Sequence, residues 1–236
     1  MRRVFQKVVY VIVVLFLMAS CSPLKKYAET AKTFEQDVRE LEKLDKTEAF
    51  QDDYILYLGS SSIRLWDSIH TDMLPYHSVK RGYGGAHFYD LIHFTDRLVT
   101  PHKKANAIVC FVANDLTGIW DDPKIKVKPK QVNRLFKYFT KQVEKIAPDM
   151  PIFLVEITPA PSRWNIWDKT VQANDLMRTY CESQENLYFI STSQEFLNKD
   201  QLPKPELFIE DQLHLNREGY KLWTQIIKSN LDQFLK

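Results

Sequence analysis

The chain of 236 residues is poor in cysteine, balanced in charge and without an apolar run long enough to commit it to a membrane span. Its three cysteines, Cys21, Cys110 and Cys181, stand far apart with no cluster of histidine or cysteine beside them, which argues against a zinc site. Cys110 lies in an apolar run and Cys181 in an expected helix, so both read as small buried residues. A disulfide between them is the alternative if the protein is exported. The formal net charge is +2, but Arg2, Arg3 and Lys7 fall at the extreme N-terminus. Without them 29 basic residues face 30 acidic ones, which gives no electrostatic case for a nucleic-acid partner. The basic stretch Lys124–Lys130 reads as a solvated loop. Internal repeats and low-complexity segments are lacking too.

What is present begins with Arg2, Arg3 and Lys7, an apolar run Val8–Leu17, and then Ala19 and Ser20 before Cys21. This charged, apolar and small-residue layout is that of an export signal, too short to favour a permanent span. Met18-Ala19-Ser20-Cys21 also resembles a bacterial lipobox, with Met where leucine is usual. That resemblance implies lipidation of Cys21, exposure outside the cytoplasm and a membrane tether; a plain cleaved signal and an uncleaved anchor compete with it. The expected organisation is a signal peptide over 1–20, a tether with an amphipathic helix over 21–50, and a catalytic domain over 51–236. In the tether, Tyr27, Ala31, Phe34, Val38 and Leu41 form one apolar stripe. The stripe lasts under three heptads, so packing on its own domain is favoured over a coiled-coil seam.

Beyond this helix, short apolar runs alternate with helical patterns. Tyr54–Leu58, Ser78–Arg81, Ala107–Val112, Ile152–Ile157 and Leu187–Ile190 read as strands. Helices are expected over Ile63–Leu74, Phe88–Leu98, Gln131–Ile146 and Lys169–Ser183, with a last one capped by Asn216. Asp121–Lys130 and Pro159–Trp167 read as loops. The alternation predicts an α/β fold: a three-layer α/β/α sandwich around a five-stranded parallel sheet covered on both faces.

In such folds ligands bind beyond the carboxyl ends of the strands. The segments expected there are Gly59-Ser60-Ser61-Ser62, Arg81-Gly82-Tyr83-Gly84-Gly85, Asn114-Asp115, Pro159–Trp164 and, last, Asp211-Gln212-Leu213-His214. Taken singly, each has a plain structural reading as a turn, a loop or a helix cap. Four of them together, in order and spacing, resemble the SGNH/GDSL hydrolases: YLGSSSIRLW the first block in its GSSS branch, KRGYGGAHFYDL the second, FVANDL the third and DQLHLNREGY the last.

The resemblance implies a flavodoxin-like fold and a serine esterase that needs no cofactor and no metal. It maps the nucleophile to Ser61, the base to His214 and the carboxylate that orients it to Asp211. It maps the oxyanion donors to the backbone N–H groups of Ser61 and Gly85 and the side-chain amide of Asn114. A serine hydroxyl is a weak nucleophile that needs a positioned base, and D-x-x-H puts carboxylate and imidazole on one side of a turn. Two departures stand out: Ala113 where glycine usually precedes Asn114, and Lys80 where the second block often opens with asparagine.

The substrate is less legible. Tyr83, His87, Trp120, Arg163, Trp164 and Trp167 fall on the expected edge, where aromatic faces could take a sugar or an acyl chain and Arg163 an anion. No long apolar lid insertion is present to cover a fatty chain. The expectation is therefore a small acyl group such as acetate on a carbohydrate. Lysophospholipid hydrolysis, or a non-catalytic envelope-binding lipoprotein that keeps the fold, are the alternatives.

Overall fold

A computed structural model describes residues 23–117 and 127–235. Cys21, the expected signal peptide and Trp120 lie outside these residues, as do residues 124–126 of the basic stretch. Five strands, β1 (Tyr54–Gly59), β2 (His77–Gly82), β3 (Ala107–Phe111), β4 (Ile152–Val155) and β5 (Leu187–Ile190), form one parallel sheet in the order β2-β1-β3-β4-β5. The central strands are almost wholly apolar because both faces of a parallel sheet are covered; β1, β3 and β4 are buried at every position. The edge strand β2, HSVKRG, carries the polar residues.

The flanking helices follow their apolar stripes. In chain order they are α1 (Pro23–Ala31), α2 (Glu35–Thr47), α3 (Ser61–Arg64), α4 (Ile69–Asp72), α5 (Phe88–Val99), α6 (Pro129–Ile146), α7 (Trp167–Glu182), α8 (Ser193–Phe196) and α9 (Arg217–Phe234). On α6 the stripe Val132, Leu135, Phe136, Phe139 and Val143 is buried. Asn216 caps α9 as expected, its side-chain oxygen accepting from the N–H groups of Glu218 and Gly219.

Three expectations are corrected. The tether helix is not continuous: a 3-10 turn over Lys32–Phe34 separates α1 from α2. Its stripe (Tyr27, Ala31, Val38 and Leu41) is nonetheless buried against the same domain. The helix expected over Ile63–Leu74 is two short ones, because Trp66 turns into the core against Tyr220 and Trp223 while its indole N–H donates to Asp72. The Pro159–Trp167 loop contains a 3-10 helix over Pro161–Ile166. Cys110 and Cys181 are both buried free thiols.

Candidate active site

The strand register brings the segments after β1, β2 and β3 to one level. Gly59 pairs with Gly82 on one side and with Phe111 on the other, and these are the last pairs of their ladders. Strand order reverses direction between β1 and β3, so the crevice lies at the topological switch point. Gly59 has φ +138° and sits against β3; a Cβ there would lie 1.9 Å from the Phe111 carbonyl oxygen. That close approach turns the chain at once into α3, whose first residue is Ser61. Ser60 N–H donates to the Phe111 carbonyl (2.9 Å), and the Tyr220 hydroxyl donates to the Ser62 carbonyl (2.9 Å), so the serine turn is pinned from β3 and from α9.

The opposite wall comes from the chain before α9. Residues Phe208 and Leu215 form an antiparallel bridge, and the turn between them carries Asp211 and His214. Gln212 takes φ +55°, which closes the turn, and its carbonyl accepts from Ser162 N–H (3.0 Å). Asp211 Oδ1 accepts from the N–H groups of Leu213 and His214, each at 2.9 Å, and Oδ2 accepts from His214 Nδ1 at 2.5 Å. A carboxylate only accepts, so Nδ1 carries the proton and Nε2 is left to accept from Ser61 Oγ at 2.8 Å. Burial pushes the Asp211 carboxyl up, but the His214 N–H, its imidazole and the Leu213 N–H outweigh it and hold the group below its usual range. It stays ionised, as an imidazole-orienting carboxylate must.

Asn114 lies just beyond β3 and faces this crevice. Its Nδ2 donates to the Ala86 carbonyl (2.9 Å) and its Oδ1 accepts from Arg163 Nη2 (2.6 Å), while Arg163 Nη1 donates to the Ala113 carbonyl (2.9 Å). Gly85, next to Ala86, takes φ +74°, and a Cβ there would meet only the Phe34 ring, at 3.7 Å. Lys80 reaches the carbonyls of Arg64 (2.9 Å) and Trp66 (3.3 Å) and so closes the end of α3 rather than entering the crevice.

The remaining expected substrate contacts divide. Tyr83 and His87 do not reach the site: both are buried, with Tyr83 Oη donating to Asp90 and His87 Nδ1 3.0 Å from the same carboxylate. His87 caps α5 with Asp90 instead, a role that the sequence spacing H-x-x-D could have signalled. Trp164 is half-buried and stacks on Trp167 at 5.6 Å; Trp167 lines the cavity beside Ser61. This cavity is small, about 30 Å³, and its apolar wall (Ala160, Ile166, Phe208 and Leu213 among others) was invisible in the sequence because it is assembled from three separate loops. Among the described residues no group of three or more His, Cys, Asp or Glu side chains is placed to hold a metal.

A family model for GDSL-like lipase/acylhydrolase proteins matches residues 47–222. The chain belongs to that family. No curated protein matches it by sequence. Solved structures share its fold. A Streptococcus pneumoniae protein provisionally named a platelet activating factor is 17% identical with a TM-score of 0.71, covering 94% of this chain and 99% of its own. A GDSL-like lipase from Bacteroides thetaiotaomicron is 15% identical with a TM-score of 0.66, covering 83% and 97%. A Geobacillus acetyl-xylooligosaccharide esterase is 13% identical with a TM-score of 0.61, covering 75% and 94%. The architecture is therefore the SGNH hydrolase fold, and the GDSL-like hydrolase acts on ester bonds.

Proposed function

We propose that this hydrolase removes a short acyl group, acetyl foremost, from a carbohydrate through an acyl-enzyme on Ser61. His214 Nε2 takes the proton as Ser61 Oγ attacks the ester carbonyl, and Asp211 holds the imidazole. The oxyanion meets the N–H groups of Ser61 and Gly85 and the Asn114 amide. Collapse of the tetrahedral intermediate expels the sugar hydroxyl, which receives the proton from His214. Water, deprotonated by His214, then cleaves the acyl-enzyme to free acid and Ser61.

The observation that carries this reading is the continuous Asp211–His214–Ser61 relay opening onto a cavity of about 30 Å³. The enclosed part of the cavity takes a few non-hydrogen atoms, which suits a short acyl group. The stacked, half-exposed Trp164 and Trp167 at its rim suit the apolar face of a sugar. An acetyl-xylooligosaccharide esterase among the similar folds agrees with that class. The Cys21 lipobox further supports work at an envelope membrane.

The test is a series of p-nitrophenyl esters from acetate to decanoate, with acetylated xylo-oligosaccharides and a lysophospholipid alongside. Acetate should exceed octanoate in kcat/KM by on the order of 10²-fold, and Ser61→Ala should lower kcat by on the order of 10⁴-fold or more. A preference for decanoate or lysophospholipid would overturn the substrate class; full activity in Ser61→Ala would overturn the mechanism.

A further inference from the structure

We propose that Arg163 is a positioning residue: it fixes and polarises the Asn114 amide of the oxyanion hole and takes no part in binding substrate. This rests on the reading of Asn114 as an oxyanion donor. Arg163 is largely buried, and among the described residues no carboxylate lies within ion-pair distance of it. Burial pulls its guanidinium down to about 10, which leaves it charged at neutral pH. A largely buried cation with no counter-charge among the described residues depends on the acceptors its N–H groups meet. Nη1 and Nη2 each donate one bond to neighbouring acceptors, the Ala113 carbonyl and Asn114 Oδ1.

These bonds fix which way the Asn114 amide points. Turned over, its NH2 would face the guanidinium and its oxygen the Ala86 carbonyl, donor against donor and acceptor against acceptor. Held as it is, one Nδ2 hydrogen goes to Ala86 and the other is left for the crevice. A charge-assisted bond of 2.6 Å to Oδ1 draws electron density from the amide and strengthens that remaining donor. The same bonds hold the loop at Ala113, where the family pattern has glycine. The neighbouring Ser162 N–H holds the Gln212 carbonyl in the Asp211–His214 turn. The 3-10 helix Pro161–Ile166 is thus a strut between the two halves of the site.

A double-mutant cycle tests this on p-nitrophenyl acetate, with Arg163→Met, Arg163→Lys, Asn114→Ala and the Arg163→Met/Asn114→Ala pair, each checked for folding by its thermal midpoint. Arg163→Met should lower kcat by on the order of 10²-fold with KM nearly unchanged. Asn114→Ala should lose as much or more, and the pair no more than Asn114→Ala alone. Guanidinium added to an Arg163→Gly variant should restore part of kcat, and Arg163→Lys should fall between wild type and Arg163→Met. Multiplicative losses, or a loss confined to KM or to anionic esters, would overturn the positioning role while leaving the Ser61 chemistry standing. An Asn114→Ala variant of full activity would instead remove the oxyanion reading on which the role depends.

Discussion

At the scale of single residues, the crevice is bordered by groups whose chemistry opposes easy folding. Gly59 is required by both its φ and the 1.9 Å approach to the Phe111 oxygen, and it is the residue that lets a strand turn into Ser61. Asp115, beside Asn114, is fully buried with Oδ2 accepting from Phe88 N–H at 2.9 Å and Oδ1 without a partner among the described residues. Burial raises its carboxyl to about 6. The folded state therefore holds this proton more tightly than the unfolded chain does. The sign follows: stability falls as pH rises from about 4 to about 6 and levels off above, by about 2–3 kcal/mol. Asp115→Asn keeps an acceptor for Phe88 and should flatten that segment of a urea-unfolding series run from pH 4 to 7. An unchanged slope would mean that the carboxyl is not the titrating group.

At the scale of elements, α2 is tied to the domain by a buried ion cluster rather than by its apolar stripe alone. Arg81 on β2 is fully buried and donates to Asp45 Oδ1 (2.6 Å) and Glu48 (2.8 Å), and His102 Nε2 meets the same Asp45 oxygen at 2.8 Å. Removing one partner from a buried pair leaves a charge stranded, which costs more than the pair contributes. Asp45→Ala is expected to lower unfolding free energy by about 3 kcal/mol. Glu48→Ala removes a carboxylate that is 40% exposed and should cost much less. Equal losses by chemical denaturation would contradict the cluster as the tie. Nothing in the sequence marked this cluster, because Asp45, Arg81 and His102 are distant in the chain and meet only when α2 packs beside β2.

At the scale of the whole molecule, the sheet order decides where chemistry can occur, and the proposed lipid anchor on Cys21 would decide where the enzyme works. The described chain starts at Pro23, two residues after Cys21, and its apolar stripe lies against the domain from Tyr27 onward. Lipid on Cys21 would hold the domain close to the membrane, since two or more acyl chains at about 0.8 kcal/mol per buried methylene anchor stably. Mass spectrometry of the mature N-terminus should find a diacylated Cys21 in membrane fractions. A mature chain that starts elsewhere without lipid would refute the tether.

The sequence by itself determined the five parallel strands, the order of helices, and the pairing of Ser61 with an Asp211-x-x-His214 turn. The elements are local matters, since apolar runs and turn residues act within a few residues of one another; the Ser61–His214 pairing spans the chain and was legible through the family resemblance. Tertiary structure alone decided that Tyr83 is buried away from the crevice and that Trp66 splits a helix. It alone decided that Arg163 reaches back fifty residues in sequence to clamp Asn114. Each of those outcomes depends on which buried polar group finds a partner, and partners from different loops are brought within reach only once the sheet has closed its edge.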